Sequence, residues 1–244
     1  MRQLPIAILQ DANVEAAVAP FIKGAKVLDL ACGTGYYSKK FLKWGAKQVV
    51  GVDISKGMVG AAKATSATLD GLSFHVADCS VPIRYEDGPF DVVFGAWLLN
   101  YASNGTEMAH MFHNASVNLK GSGHFIGVTP PPTNDPRGHV ETALAARPAQ
   151  YGDVVVTIIK DVEEGVATHL DATMKTGKVE FDAYHLIKNV YESFALEGRL
   201  VGALTWRPVD SPDIHSDVLE SLRSSSWGNY LTVPHFSVLV VAKA

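Results

Sequence analysis

The chain has 244 residues, 47% of them apolar and 19% charged, with a formal net charge of −4. This composition describes a folded chain with one sizeable core and excludes disorder; the slightly acidic balance excludes a general pull toward nucleic acid or anionic membrane. No apolar run reaches the ~18 residues of a spanning helix, "MRQLPIAILQ" lacks a basic-then-apolar leader, and Cys32 and Cys79 read as reduced thiols, so the expectation is a cytoplasmic protein with a small-molecule partner.

Short apolar runs alternate with amphipathic stretches over the first two-thirds, the pattern of a parallel sheet with crossover helices. "AAVAPFI" ends a leading helix, "KVLDLA" is a buried strand and "YYSKKFLKWG" a helix stopping at Gly45. "QVVGVDIS", "LSFHVAD" and "FDVVFGAWLL" are further strands, with "KGMVGAAKATSATL" a helix between the first two. "TEMAHMFHNASVNLK" is predicted as a helix ending at Gly121, and "GHFIGVTP" as the fifth strand. "PPPTNDPRGH" is predicted as a loop, because proline lacks the donor and fixes φ. Residues 153–184 then read as an antiparallel insertion near the substrate side, turning at Glu164-Gly165 and Thr176-Gly177, within one domain spanning 1–244. "HLIKNVYESFALEG" is a helix, and "RLVGALTWRP" and "FSVLVVAKA" are the closing strands.

"VLDLACGTGYYS", residues 27–38, carries the chemistry. A glycine turn after the first strand lets backbone approach a ligand at the carboxyl end of the sheet. The dinucleotide pattern G-x-G-x-x-G is broken at Ser38, and Tyr36 and Tyr37 crowd the helix entrance where a pyrophosphate would sit. Asp29 repels phosphate and suits an ammonium or sulfonium, while Asp53 stands where a ribose-binding acid belongs. A ribose plus a cation, without phosphate, points to S-adenosylmethionine.

"VLDLACGTG", "VVGVDIS", "VADC" and "FDVVFGAWLLNYA", in this order and spacing, resemble the class I S-adenosylmethionine-dependent methyltransferases over roughly residues 20–130. "AWLLNYA" is similar, more loosely, to small-molecule enzymes of the toxoflavin-methyltransferase type. The resemblance implies a Rossmann-like, doubly wound α/β fold: a mostly parallel seven-stranded sheet with an antiparallel last strand. It implies a berth for S-adenosylmethionine made by Asp29, Ala31, Gly33 and Gly35, with Asp53 and Ile54 at the ribose. Met58, Ala77, Asp78 and Cys79 would frame the adenine, and Gly95, Ala96 and Trp97 would pass close to the methionine portion. S-adenosylhomocysteine is then the product.

Methyl transfer from a sulfonium needs alignment and exclusion of water more than a catalytic dyad. Candidate acceptor-side or catalytic residues are Tyr101, Asn134, His139 and Tyr184, with Asn100, Asp135, His169 and His185 as further pocket candidates. His110 and His113 share a helix without a ligand cluster, so no metal is expected. Relatives carry more chain before the first strand, so closure over the cofactor is expected from elsewhere or from a longer amino terminus. The leading expectation is methyl transfer to O, N or S of a small metabolite, as in secondary metabolism. The alternatives are a cyclase/lyase that closes S-adenosylmethionine to azetidine-2-carboxylate and methylthioadenosine, with Asn134 and Tyr184 orienting it, and a cofactor-binding protein without turnover. The acceptor atom and the oligomeric state are left open.

Overall fold

Val27, Val49, Val92, Phe94, Ile126 and Val128 turn to one face of a central sheet, and Leu28, Leu30, Val50, Val52, Val93 and Phe125 turn to the other; all are fully buried. A period-two chain that is apolar on both faces has to be covered on both, which is the condition for a parallel sheet between helical layers. The computed structural model describes residues 5–146, 154–174, 177–223, 225 and 227–243.

The sheet has seven strands in the order β3 (Leu72–Val76), β2 (Gln48–Asp53), β1 (Lys26–Leu30), β4 (Phe90–Ala96), β5 (Leu119–Thr129), β10 (Ser237–Ala242) and β9 (Leu204–Arg207). The first five run parallel, and β10 runs antiparallel to both β5 and β9. The Rossmann-like arrangement, with its reversed final strand, is therefore present. α1 (Pro5–Val18), α2 (Tyr36–Lys43) and α7 (Ser216–Arg223) cover the first face through Leu9, Phe41 and Leu222. α4 (Gly105–Asn118) and α6 (Lys188–Glu197) cover the second through Phe112 and Tyr191. Each such large buried side chain contributes roughly 1.5–3 kcal/mol. α3 (Lys56–Thr65), capped by Ser55 Oγ accepting from Met58 N–H at 3.3 Å, packs Val59 and Ala62 against Phe74.

β6 (Val154–Val162), β7 (Gly165–Met174) and β8 (Gly177–Leu186) form a separate three-stranded antiparallel sheet, as the inserted segment predicts. Its first turn falls at Glu163-Glu164, one residue earlier than expected, because Gly165 is already paired with Leu186. The second expected turn includes Thr176, outside the described residues. The turn also ties the small sheet to α4: Gly105 N–H, at the start of that helix, donates to Glu164 Oε2 at 2.6 Å.

The chain departs from the sequence reading at three further places. The helix predicted to reach Gly121 ends at Asn118, and Leu119 enters β5 by pairing with Phe90, which puts Gly121 inside a strand. The proline-rich segment ends in a helix, α5 (Pro136–Ala146). Pro136 occupies the first helical turn, where its missing donor costs nothing, and Asp135 Oδ1 accepts from Gly138 N–H at 2.9 Å as the cap. α7 and α8 (Asn229–Thr232) lie where no element was predicted.

Candidate functional site

Sheet order reverses between β1 and β4, so the crevice beyond their carboxyl ends is where this architecture places a ligand. Both strands are followed directly by a non-glycine residue in the left-handed region, Ala31 at φ 55° and Trp97 at φ 56°. Such backbone is costly for residues with a Cβ and concentrates at functional sites. Between them opens a cleft of about 770 Å³, lined by Ala31, Gly33, Asp53, Ile54, Met58, Asp78, Cys79, Ala96, Trp97 and Tyr101, among others.

The acids of the cleft are held rigidly. Asp53 Oδ2 accepts from Gly33 N–H at 2.8 Å and Oδ1 from Ser55 N–H at 2.9 Å. This carboxylate, at the end of β2, therefore pins the glycine turn and the start of α3 in one geometry. Asp29, 2% exposed, accepts from Ser38 Oγ at 2.5 Å. Burial raises its carboxyl to about 7 against the opposing pull of the Ser38 bond, and nearby Asp53 adds to the rise. It lies at a shallower extension of the cleft with Thr34, Tyr36 and Tyr37. Asp78 uses Oδ1 to hold Ser80 through its N–H at 2.9 Å and its hydroxyl at 2.7 Å. Cys79 Sγ accepts from Ala31 N–H at 3.3 Å, and burial pushes its thiol up to about 12, so it acts as structure and not as a nucleophile.

α1 closes one rim. Trp97 Nε1 donates to Gln10 Oε1 at 3.2 Å, and Gln10 Nε2 donates to Tyr37 Oη at 2.8 Å. Tyr36 Oη donates to Asp11 Oδ2 at 2.5 Å, and Lys40 pairs with the same oxygen at 3.0 Å. The two tyrosines after the glycine turn are thus anchored to the amino-terminal helix.

A second, narrow cavity of about 70 Å³ lies beyond Trp97, between the end of β5, α5 and the three-stranded sheet. Asn100, Pro131, His139, Val140, Leu144, Val156, Leu170, His185 and His235 border it, and Trp97 borders both spaces. His185 Nε2 lies 2.8 Å from the Pro131 carbonyl and His139 Nε2 3.1 Å from that of Pro234. Burial lowers the His185 imidazole to about 4, and His139, 5.5 Å away between ring centres, adds to the effect.

The model of a methyltransferase domain family matches residues 27–123, the stretch that builds the cleft. Residues 27–123 therefore carry a methyltransferase domain, and the chain as a whole shares the fold of S-adenosylmethionine-dependent methyltransferases. An S-adenosylmethionine-dependent methyltransferase structure from Mesorhizobium loti superposes with a TM-score of 0.61 at 18% identity, covering 94% of this chain and 95% of that one. A SAM-bound amino pentose methyltransferase from Micromonospora echinaspora has a TM-score of 0.56 at 16% identity, covering 99% and 92%. Among curated proteins, an mRNA cap guanine-N(7) methyltransferase from Caenorhabditis elegans is 30% identical over 200 residues, covering 72% of this chain and 52% of that protein. The chain spans no more than about half the length of the first curated relatives it matches.

S-adenosylmethionine is the cofactor such methyltransferases share, and the cleft fits it. A Cβ added at Gly33 would meet no protein atom within 4 Å, leaving the turn open to a ligand, and the four acids Asp29, Asp53, Asp78 and Glu107, with no Lys or Arg among the described residues of the lining, suit a cationic nucleoside. Exposed Ile54 and Met58, 67% and 47% accessible, offer apolar cover on the same wall.

Of the residues expected at the cofactor, the chain gathers ten around the cleft and its extension, while Gly35, Ala77 and Gly95 border neither. A Cβ at Gly35 would stand 2.6 Å from the Phe74 ring, so that glycine serves packing. Gly95 would press on Leu98 at 3.1 Å for the same reason, and Ala77 is used through its backbone, donating to Asp53 O at 3.1 Å. Tyr101 lies in the cofactor cleft and not beyond it, 50% exposed, its ring 5.9 Å from that of Phe181. Asn134 is exposed and borders neither space, and Asp135 is committed to capping α5. His169 pairs with Asp182 at 2.8 Å on the outer face of the small sheet, away from both cavities. Tyr184 and His185 both border the second cavity, yet as neighbours on β8 they alternate in face, and Tyr184 packs against the core cluster beneath α4. Glu107, His110 and His235 were not assigned to a site from the sequence, since each arrives from an element whose placement no local motif records.

Proposed function

We propose that the chain is a methyltransferase that transfers the methyl group of S-adenosylmethionine to O, N or S of a small molecule seated in the second cavity. The observation that carries this is the sharing of Trp97 by two spaces of different character, one acidic and nucleoside-sized, the other narrow and mostly apolar. When bound, the cofactor supplies an activated methyl group at its sulfonium. Asp53 would hold the ribose hydroxyls, Asp78 the adenine edge, and Asp29 the amino-acid end. Ala31 and Trp97, with their left-handed backbone, shape the two walls of the cleft. The Trp97–Gln10–Tyr37 chain would shield the methionine portion from water.

The acidic net charge and the absence of Lys and Arg among the described residues of both linings argue for a small molecule over RNA, despite the similarity to cap methyltransferases. An intramolecular cyclisation would leave the second cavity without an occupant, which favours transfer over the cyclase reading.

The test is incubation with methyl-labelled S-adenosylmethionine, first alone and then with separated small-molecule and RNA fractions of a cell extract, followed by mass spectrometry. Label in a compound of the small-molecule fraction is expected. Label in RNA would overturn the substrate class, and methylthioadenosine formed without acceptor would replace transfer by cyclisation.

A further inference from the structure

Asn100 sits in the short 3-10 turn Leu99–Tyr101 after β4, clamped by Leu98, Leu99 and Ala102 in the core. It is 3% exposed and borders the second cavity, and its Oδ1 is buried with no partner among the described residues. Its amide nitrogen makes no hydrogen bond among those residues either. A buried amide left this way costs about 1–3 kcal/mol, a cost that folded chains retain mainly where something else supplies the partner.

His185, on the facing sheet, borders the same cavity. The Pro131 carbonyl can only accept, so the neighbouring Nε2 carries the ring hydrogen and Nδ1 is left as a bare acceptor, again without a partner among the described residues. Around these two groups the walls are Val140, Leu144, Val156, Leu170 and the Trp97 ring, and among the described residues no Asp, Glu, Lys or Arg borders the space.

We infer that the second cavity selects an uncharged, apolar-bodied molecule bearing an O–H or N–H group, read jointly by the Asn100 side-chain amide and His185 Nδ1; that this molecule is the methyl acceptor rests on the reading above. An ionic ligand would lose its water without gaining a counter-charge. A ligand of the same shape lacking the donor would leave both protein groups unpaired, and sites built this way discriminate strongly. The class is that of phenols and N–H heterocycles, and it excludes carboxylates and phosphate esters. Asn100 acts here in recognition and not in bond making.

The test uses three probes of similar shape, phenol, toluene and benzoate, titrated by calorimetry into the full chain saturated with S-adenosylhomocysteine. Phenol is expected to bind at least tenfold tighter than toluene, and benzoate not to saturate. In Asn100→Leu the phenol-to-toluene ratio is expected to fall toward one while the melting temperature rises, because an unpaired buried amide has been removed; a purely structural asparagine would lower it. His185→Phe gives the same loss of ratio and serves if the first variant does not fold. Benzoate binding as tightly as phenol, no saturable phenol binding, or an unchanged ratio in either folded variant overturns the inference. A phenol preference retained by a protein that transfers no methyl group would sink the methyltransferase reading alone.

Discussion

Trp97 Nε1 donates to Gln10 Oε1 at 3.2 Å, joining residues 87 apart in the chain. Trp97 follows β4 with its backbone at φ 56° and borders both cavities, so a glutamine of the first helix sets the position of the ring that divides them. Gln10 passes the contact on to Tyr37, which packs edge-on to Phe94 of β4 at 5.1 Å. The amino-terminal helix is thereby part of the site.

Gln10→Ala removes both bonds. At about 1 kcal/mol for each, S-adenosylmethionine affinity is expected to fall roughly tenfold or more. Calorimetric titration checks this, and the shift in tryptophan emission on adding cofactor should shrink with it. Unchanged affinity would show that α1 is only a cover for the core.

Gly33 and Gly35 are one residue apart and should respond differently to alanine. Both have positive φ, 54° and 74°, but a Cβ at Gly33 meets open cleft while one at Gly35 meets Phe74 at 2.6 Å. Gly33→Ala is expected to lose cofactor binding with a stability loss of about 1–2 kcal/mol from the left-handed backbone. Gly35→Ala should destabilise further, through overpacking of roughly 1–3 kcal/mol, and Phe74→Leu should restore part of that loss. Thermal melts with and without S-adenosylmethionine separate the two.

Asp29 makes the apo protein more stable in mild acid than at neutral pH. Its carboxyl titrates at about 7 in the fold against 3.8 in an ordinary setting, so between those values the folded chain holds a proton the unfolded chain has released. Stability therefore falls as pH rises from about 4 to about 7 and levels above that, a change of a few kcal/mol at most. Because His185 opposes it over much of this range, the Asp29 slope is read as the difference between urea melts of the native chain and of Asp29→Asn, a difference that should shrink as pH rises from about 4 to about 7. S-adenosylmethionine, placing a cation near the carboxylate, is expected to release a proton on binding at pH 6.

His185 has the opposite signature. Its imidazole titrates at about 4 in the fold against 6.5 unfolded, so the unfolded chain gains a proton first as pH drops. Its contribution is complete above about 6.5 and is lost progressively down to about 4. His185→Phe should flatten that segment of the curve, read by the same melts after Asp29→Asn has removed the overlapping slope.

Much of the cofactor cleft was readable without coordinates, for a local reason. Asp29, Gly33 and Asp53 lie at strand ends, and a buried strand followed by a glycine turn fixes where its last acid and first loop residue must point. The fold was readable on the same ground, because residues such as Val27 and Leu28 alternate between two apolar faces that both demand cover. Gly35 and Gly95 were legible as glycines but not in purpose: whether a missing Cβ admits a ligand or the Phe74 ring depends on a strand elsewhere in the chain. The helix at Pro136 was signalled by its own cap, Asp135, and missed because the prolines before it dominate the pattern.

By itself, then, the sequence determined the parallel sheet, its covered faces and the acidic turn, all set by periodicity and short-range backbone geometry. Asn100, His139 and His185 were already candidates for an acceptor pocket, and the tertiary structure decided which candidates share one cavity. Asn100, His139, His185 and His235 come from four separate segments, and their meeting depends on how the three-stranded sheet and α5 close over β5. Packing between distant segments, which no local spacing encodes, left the Asn100 amide without a partner and placed it where a ligand can supply one.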